Sequence, residues 1–417
     1  MKAKDESKRV LARSTLSMYL LQIAKYIFPF ITLPYLARVL GTDGYAIRSY
    51  VLSNMTFVSM VAEFGFMNYA IALLVRDGLN SRNASEISSS IMIARFCLFI
   101  PLAAAVALMN CTVPLMGKNS LYVWISFAGT FFSSLLPDFV FRGYERMEII
   151  TLRYVVSKGA SVLLTFILIN DPDDLLLVPI LDVFTSVVAF VWSWAAAIQQ
   201  FGVRFVPVAP SRVWNDFVQS AVYFVSGVST IVFSSLTTFL FGVYGRSPED
   251  IAYWGVAMTV MNGLSALYAP LSQSLYPHFL KKANDDGGSL SLRRMYAVSL
   301  VPLTLVAISM VIFSRQIMWV LGGDQYLDGS YVIAILAPFA IASFYVQLSG
   351  WPSLGALGKV KELTTTTVIG TAFHAAELLL LIVFTGYDLK FVAFARVLSE
   401  SVMALLRLVE CKRAGII

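Results

Sequence analysis

The sequence predicts an all-α membrane protein of about twelve transmembrane helices, arranged as two pseudo-symmetric bundles of six. Two observations carry that expectation. Of 417 residues, 58% are apolar and only 13% charged, where a soluble domain is nearer half apolar and a quarter charged. The apolar residues also fall in runs, and a helix needs about 20 of them to cross a bilayer. Barrel strands would be about 10 residues long and alternating. The balance excludes a soluble protein, a disordered chain, nucleic-acid binding as a main role and a disulfide-stapled scaffold.

In chain order the runs fall at about 14–38, 45–74, 88–110, 121–141, 153–170, 175–199, 217–243, 251–280, 295–321, 331–355, 364–386 and 391–409. The first follows a basic start, as a signal peptide would, but is too long for that and lacks a convincing cleavage site. It is read as a retained helix. An even number of spans puts both termini on one side, and the basic residues say which. One set of loops holds Lys2, Lys4, Lys8, Arg9, Arg13, Arg76, Arg82, Arg142, Arg146, Arg153, Lys158, Arg204, Arg212, Lys281, Lys282, Arg293, Arg294, Lys359, Lys361, Arg407, Lys412 and Arg413. The opposite set holds only Arg38, Lys118, Arg246, Arg315 and Lys390. Positive charge collects on the cytoplasmic side, so both termini are expected there. The net charge of +6 has the same origin. Outer loops such as Gly41-Thr42-Asp43-Gly44 leave no room for an external domain. Cys97, Cys111 and Cys411 form neither a disulfide framework nor a metal-ligand spacing, and no metal or cofactor is expected.

The stretch Gln200–Val213 carries two prolines and two arginines and divides six helices from six. The expected organisation is a lobe over 1–200, a cytoplasmic linker over 201–216 and a second lobe over 217–417. Weak matches recur in order between the halves: Val39-Leu40-Gly41 with Val243-Tyr244-Gly245, Tyr45 and Asn54 with Tyr253 and Asn262, Gly143 with Gly355. Duplicated units of this kind enclose a transport pathway. Polar stripes mark its expected lining. They comprise Gln22, Lys25, Pro29 and Thr32 in the first helix, Arg48, Thr56, Ser59 and Glu63 in the second, and Ser126, Thr130, Ser133 and Pro137 in the fourth. Their counterparts are Tyr223, Ser226, Thr230, Ser234 and Thr237 in the seventh, Asn262, Ser265, Ala269, Ser272 and Tyr276 in the eighth, and Ser343, Gln347 and Gly350 in the tenth. Close helix packing by small residues is the alternative.

Ionisable residues inside spans cost about 2.5–3.5 kcal/mol each and need a reason. Lys25 lies about 16 Å along the first helix at 1.5 Å per residue, too deep for easy snorkelling. With Arg48 and Arg95 it suits a phosphate, which Arg grips with two donors and Lys attracts as a point charge. The alternative is internal pairing, of Lys25 or Arg48 with Glu63 and of Arg142 with Glu145. Asp138 is expected to organise the Arg142 loop. Arg396 and Glu400, four apart, suit an ion pair. His374 and Glu377, three apart, suit either packing or an ion relay, and His278 is expected at the interface. No phosphate-binding loop of the G-x-x-x-x-G-K-[ST] type and no hydrolase motif occurs in the sequence, so transport would draw on a gradient.

Several segments resemble the polysaccharide biosynthesis, or O-antigen flippase (Wzx-type), family of the multidrug/oligosaccharidyl-lipid/polysaccharide exporter superfamily. The segments are Tyr26 to Gly41 (YIFPFITLPYLARVLG), Glu63-Phe64-Gly65-Phe66, Leu136 to Met147 (LPDFVFRGYERM) and Ser274-Leu275-Tyr276-Pro277. The chain departs from that pattern at Ala46-Ile47-Arg48 and at Arg142, where Gln is common. The resemblance implies a V-shaped exporter fold, and flipping of an undecaprenyl-diphosphate-linked oligosaccharide across the bacterial inner membrane by alternating access. It implies partners among membrane lipids, a polysaccharide polymerase and chain-length machinery, and no enzymatic activity. Substrate contacts are expected at Lys25, Arg48, Arg95, Gln22, Ser59, Asn262 and Gln347, and ion coupling at Glu63, His374 and Glu377. The rival functions are a cation-coupled drug or small-solute antiporter and a membrane glycan polymerase or glycosyltransferase; the short outer loops argue against the enzyme.

Overall fold

A computed structural model describes the backbone of residues 2–244, 246–282 and 287–415, and the side chains of 16–76, 78–224, 233, 235–244, 246–268 and 295–415. The described residues are almost all helical and include no strand. Lipid requires this, because an apolar segment can satisfy its own backbone polar groups only by coiling. Eight segments are long and apolar enough to cross a membrane: Leu16–Val39, Gly41–Arg76, Ser81–Thr112, Ser120–Gly143, Met147–Leu168, Pro172–Phe201, Met295–Ile312 and Val360–Thr385. A ninth, Asp324–Leu336 with Phe339–Gly355, is bent by 44°. The described residues thus identify eight spans, or nine with the bent pair, where the hydropathy runs predict twelve. Pro210–Ile231, Pro248–Lys282 and Leu389–Arg413 are further long helices outside that set. The chain is a multi-pass membrane protein.

Two compact units emerge, Met1–Thr32 with Tyr50–Ile231, and Leu33–Ser49 with Val232–Ile417. The first takes most of α1 (Lys2–Val39) and the later part of α2 (Gly41–Glu63). It continues through α3 (Phe66–Asp77), α4 (Ser81–Thr112), α5 (Pro114–Lys118), α6 (Ser120–Ser134), α7 (Asp138–Gly143), α8 (Met147–Leu168), α9 (Leu177–Phe201) and α10 (Pro210–Ile231). Helix α9 packs on α6 and α8, and α3 packs on α7 and α10. Phe66, Leu74, Ile91, Phe139, Phe141 and Trp194 build its core.

Two helix breaks shape this unit. Between α2 and α3, Phe64 (φ 43°) and Gly65 (φ 77°) are left-handed, a conformation glycine adopts without steric cost. A Cβ on Gly65 would sit 2.6 Å from the Ser220 carbonyl oxygen and 2.7 Å from Tyr223 Cβ, so glycine also permits the close approach of α10. Phe64 stacks on Phe217 and Phe224, with centroids at 4.3 and 4.7 Å. Between α6 and α7, Pro137 ends the ladder and frees the carbonyls before it. Trp194 Nε1 donates to Leu135 O at 3.1 Å and Arg95 Nη1 to Leu136 O at 3.3 Å.

Segment 201–216 runs inside the first unit along the serine-rich start of α4. Ser81 donates to the Gly202 carbonyl (2.5 Å), and the Arg204 and Val206 amides donate to Ser85 (2.9 Å) and Ser89 (3.0 Å). Buried Asp216 accepts from Tyr69 (2.7 Å) and Ser90 (2.6 Å). These bonds satisfy a loop whose backbone groups would otherwise lack partners.

The second unit contains the α1–α2 junction, α11 (Thr237–Val243), α12 (Pro248–Lys282), α13 (Gly287–Ile312), α14 (Ser314–Gly322), α15 (Ser330–Leu336), α16 (Phe339–Ser349), α17 (Val360–Thr385) and α18 (Leu389–Arg413). A π-helical turn, Val232–Leu236, leads into α11, and another, Gly350–Gly355, follows α16. Helix α18 packs on α15, α16 and α17. The junction belongs here because Gly255 lets α12 approach it: a Cβ there would lie 2.6 Å from Ser49 Oγ. The Tyr326 hydroxyl also donates to the Gly41 carbonyl (3.3 Å) and Gln325 Nε2 to that of Ala37 (3.1 Å).

Candidate functional site

The first unit gathers six charged side chains from five helices. Lys25 comes from α1, Glu63 from α2, Arg95 from α4, Asp138 and Arg142 from α7, and Arg153 from α8. They share one electrostatic neighbourhood: Lys25 with Asp138, Arg142 and Arg153, Glu63 with Arg95 and Arg142, and Arg95 with Asp138. Four cations face two acids, so the cluster carries surplus positive charge.

The surplus is not spread evenly. Arg153 grips Asp138 through both guanidinium tips, at 2.6 and 3.0 Å, and also bonds Ser193. This corrects the expectation that Asp138 serves the Arg142 loop. Arg153 and Lys158 lie within α8, not in a loop, because the helix starts at Met147. From α8, Arg153 reaches back to the first residue of α7, while Lys158 pairs with Asp182 at 2.7 Å. The expected Arg142–Glu145 pair does not form. Glu145 is left-handed (φ 56°) and exposed, and Arg146 pairs instead with Glu148 at 2.5 Å.

Glu63 is no partner of Lys25 or Arg48. Its Oε1 accepts the Met67 amide at 2.7 Å, capping α3 where Gly65 offers no side chain; a carboxylate there is favourable. Its Oε2 is buried without a partner. Arg95 is buried, held by the Leu136 carbonyl and lying 5.7 Å from the Phe66 ring centroid. Among the described residues, Lys25 and Arg142 have no acidic partner within ion-pair distance. Lys25 is exposed, its ammonium 6.0 Å from the Tyr154 ring centroid. Arg142 is half-buried, its Nε without a partner.

The other expected contact residues divide between the units. Gln22 is exposed near Lys25 on α1 and Ser59 is half-buried on α2, both in the first unit. Arg48, Asn262 and Gln347 belong to the second. Arg48 is half-buried with its guanidinium 5.6 Å from the Tyr45 ring centroid, and Asn262 is exposed. Gln347 ties α16 to α12 by donating to the Ser265 carbonyl at 3.0 Å. In the polar stripes Thr32, Thr56, Ser126, Thr130 and Ser133 bond carbonyls three or four residues back. Their hydrogens are thereby used, and lone pairs are what they offer a solute. Ser226, Thr230, Ser234, Ala269, Ser272, Tyr276, His278, the Ser274–Pro277 segment and the cations of 2–13, 281–282 and 293–294 lie outside the described side chains.

The second unit holds a separate polar network. His374 on α17 is fully buried, its Nδ1 2.7 Å from Ser399 Oγ and its Nε2 3.2 Å from Thr237 Oγ1. Ser399 also bonds Glu377. Arg396 and Glu400 pair at 2.8 Å on α18, with Arg396 5.0 and 4.8 Å from the Phe233 and Phe339 ring centroids. The sequence pointed to His374, Glu377, Arg396 and Glu400 but not to Ser399, and its charge pattern put Arg153 in a loop, not in α8. A hydroxyl one residue from Glu400 on a helix carrying Arg396 was the available signal for Ser399.

The chain is multi-helical with charge buried in both units, and solved transporter structures share its fold. An inward-facing multidrug transporter of the MATE family superposes with a TM-score of 0.66 at 14% identity, covering 94% of this chain and 98% of that one. The lipid II flippase MurJ, in an inward closed conformation, gives 0.66 at 15% identity, covering 96% and 87%. The chain belongs to the polysaccharide biosynthesis protein family, whose model matches residues 11–283. Among curated relatives, the "Putative O-antigen transporter" of Escherichia coli (strain K12) is 23% identical over 355 residues, covering 83% of each chain. A protein of the same name from Shigella dysenteriae is 22% identical over 374 residues, covering 87% of this chain and 90% of its own.

Proposed function

We propose that this protein is a flippase carrying an undecaprenyl-diphosphate-linked oligosaccharide, an O-antigen or similar surface-polysaccharide repeat unit, across the bacterial inner membrane by alternating access. The reading includes twelve spans in two lobes, 1–200 and 217–417 joined by 201–216, with both termini cytoplasmic. A sugar-diphosphate head group in bare hydrocarbon would strand polar groups at several kcal/mol each, so the protein must supply a polar, cationic route. Lys25, Arg95 and Arg48, joined by Arg142, attract the diphosphate. Gln22, Ser59, Asn262 and Gln347 bond sugar hydroxyls, and Glu63, His374 and Glu377 serve ion coupling. The protein performs no covalent chemistry on its cargo and delivers it to a polymerase and chain-length machinery.

The observation that carries this reading is the surplus positive charge of the first unit, with Lys25 and Arg142 left without acidic partners. The names of the curated relatives, putative O-antigen transporters, support the same cargo class. Deletion of the gene is expected to trap labelled lipid-linked glycan on the cytoplasmic leaflet. The natural chain should restore its outer-leaflet exposure, and a Lys25→Ala, Arg142→Ala double variant should not. An unchanged leaflet distribution on deletion would contradict the proposal. The second reading, a cation-coupled drug antiporter, is favoured by the buried acids and histidine of the second unit and by the MATE likeness. It requires instead that the protein protect cells against toxic cations.

A further inference from the structure

The hydrogen bonds around His374 form a directed chain, and the direction is legible from donor inventory. Ser399 has one hydroxyl proton and two acceptors in reach, Glu377 Oε2 and the Ala395 carbonyl at 2.8 Å. With Glu377 ionised, that proton goes to the carboxylate. Ser399 Oγ is then free to accept from His374 Nδ1–H, and the lone pair of His374 Nε2 accepts from the Thr237 hydroxyl. Every donor points toward Glu377.

This chain can take up a proton without moving a heavy atom. A proton placed on Glu377 turns its carboxyl into a donor to Ser399, whose own hydrogen swings to the Ala395 carbonyl. No hydrogen bond is lost, because the alternative acceptor is already in place. A proton placed on His374 Nε2 has a different consequence: the Thr237 hydroxyl must stop donating to it and become its acceptor. Thr237 directly follows the π-helical turn Val232–Leu236, and His374 stacks on Phe233 of that turn at 5.0 Å. π turns inside helices recur at functional sites.

Among the described residues, the one basic group within ion-pair distance of the Glu377 carboxylate is His374, whose Nδ1 lies 3.7 Å from Oε2. Arg396 and Glu400 on α18 are committed to each other at 2.8 Å. The titratable and charged groups facing His374 are Glu377 on its own helix and Arg396 and Glu400 on α18. The described partners from α11 and its π turn, Thr237 and Phe233, carry no charge, and the nearby Tyr387 hydroxyl is used on the Thr237 carbonyl at 3.0 Å. Glu377 Oε1 is buried without a partner, while the side chain as a whole is 11% exposed against 0% for His374. The carboxylate is therefore the entry end and the imidazole the dry end.

We infer that His374, Ser399 and Glu377 form one proton-carrying site, in which a single proton resides on Glu377 or His374 and is the ion exchanged against the transported solute. The inference rests on the transporter reading and deepens it, by naming the coupling ion and the hydroxyl through which two titratable groups share it.

Two measurements test it. The chain has two histidines, so His278→Gln leaves one imidazole for nitrogen NMR of the full-length protein in lipid nanodiscs. The expected result is a neutral imidazole protonated on Nδ1 at the alkaline end, whose signals shift as the pH is lowered. Ser399→Ala should remove the hydroxyl bridge, leaving the direct 3.7 Å approach of His374 Nδ1 to Glu377 Oε2, and so alter that shift, and Ser399→Thr, which keeps the hydroxyl, should restore it. Signals that ignore both pH and Glu377→Gln would overturn the site, whatever the cargo. In proteoliposomes, transfer of a fluorescent short-chain polyprenyl-diphosphate disaccharide should follow a pH gradient, its steady-state ratio changing about tenfold per pH unit for one proton exchanged. Glu377→Gln should abolish that response. A ratio that follows a sodium gradient and ignores pH would overturn the inference while leaving the flippase reading intact, and a protein that titrates normally but moves no disaccharide would break the flippase reading instead.

Discussion

Lys25→Ala is expected to lower transfer of lipid-diphosphate-linked glycan by about 10- to 100-fold, which is the loss of one charge-assisted hydrogen bond of about 1.5–3 kcal/mol. Thermal stability should hardly change. Lys25 is exposed and within ion-pair distance of no acid among the described residues, so its removal orphans no buried carboxylate. Its ammonium lies near the Tyr154 ring and inside the neighbourhood of Arg142 and Arg153, where like charges favour a counter-anion over further crowding. Lys25→Arg keeps the charge and should keep most of the transfer. Leaflet-resolved assay of the labelled glycan in proteoliposomes checks both variants. Undiminished transfer by Lys25→Ala at normal protein levels would remove this residue from the mechanism.

Arg153→Ala should act through stability and is expected to cost about 3–5 kcal/mol, the range for breaking a buried ion pair from one side. Arg153 is 4% exposed, holds both oxygens of Asp138 and bonds Ser193. Its loss would leave a carboxylate at the start of α7 without its hydrogen-bonded partner. Removing both charges together, as Arg153→Met with Asp138→Leu, should recover much of that loss, because the penalty lies in the orphaned partner. Thermal unfolding in detergent measures the two. A single variant as stable as the natural protein would show that this pair does not hold α7 to α8.

The helices were legible because the bilayer imposes a length and an apolarity that few other structures share. The break at Glu63-Phe64-Gly65-Phe66 was visible as a motif, but its cause was not: Gly65 is needed for α10 to approach, a contact across more than 150 residues. Lys25 and Glu377 stood out in the sequence because ionisable groups are rare in spans. What each ionisable group pairs with was not legible. Arg153 was counted among loop cations because charge alone locates a loop, and only the start of α8 at Met147 turns it toward Asp138. The serines at 81, 85 and 89 carried no signal in the sequence, yet they fasten the 201–216 segment. Ser399 escaped notice for a similar reason, since a hydroxyl on a helix bonds its own backbone by default and only the facing helix reveals a second partner.

The account stands on the claim that the unpaired cations of the first unit recognise a diphosphate. Binding of the purified protein to one glycan on two anchors tests that claim directly. One anchor is a polyprenyl diphosphate and the other an uncharged polyprenyl ether of equal length. The diphosphate form should bind more tightly by about tenfold or more, and Lys25→Ala with Arg142→Ala should erase the difference. Equal affinity for both anchors in the natural protein would contradict it.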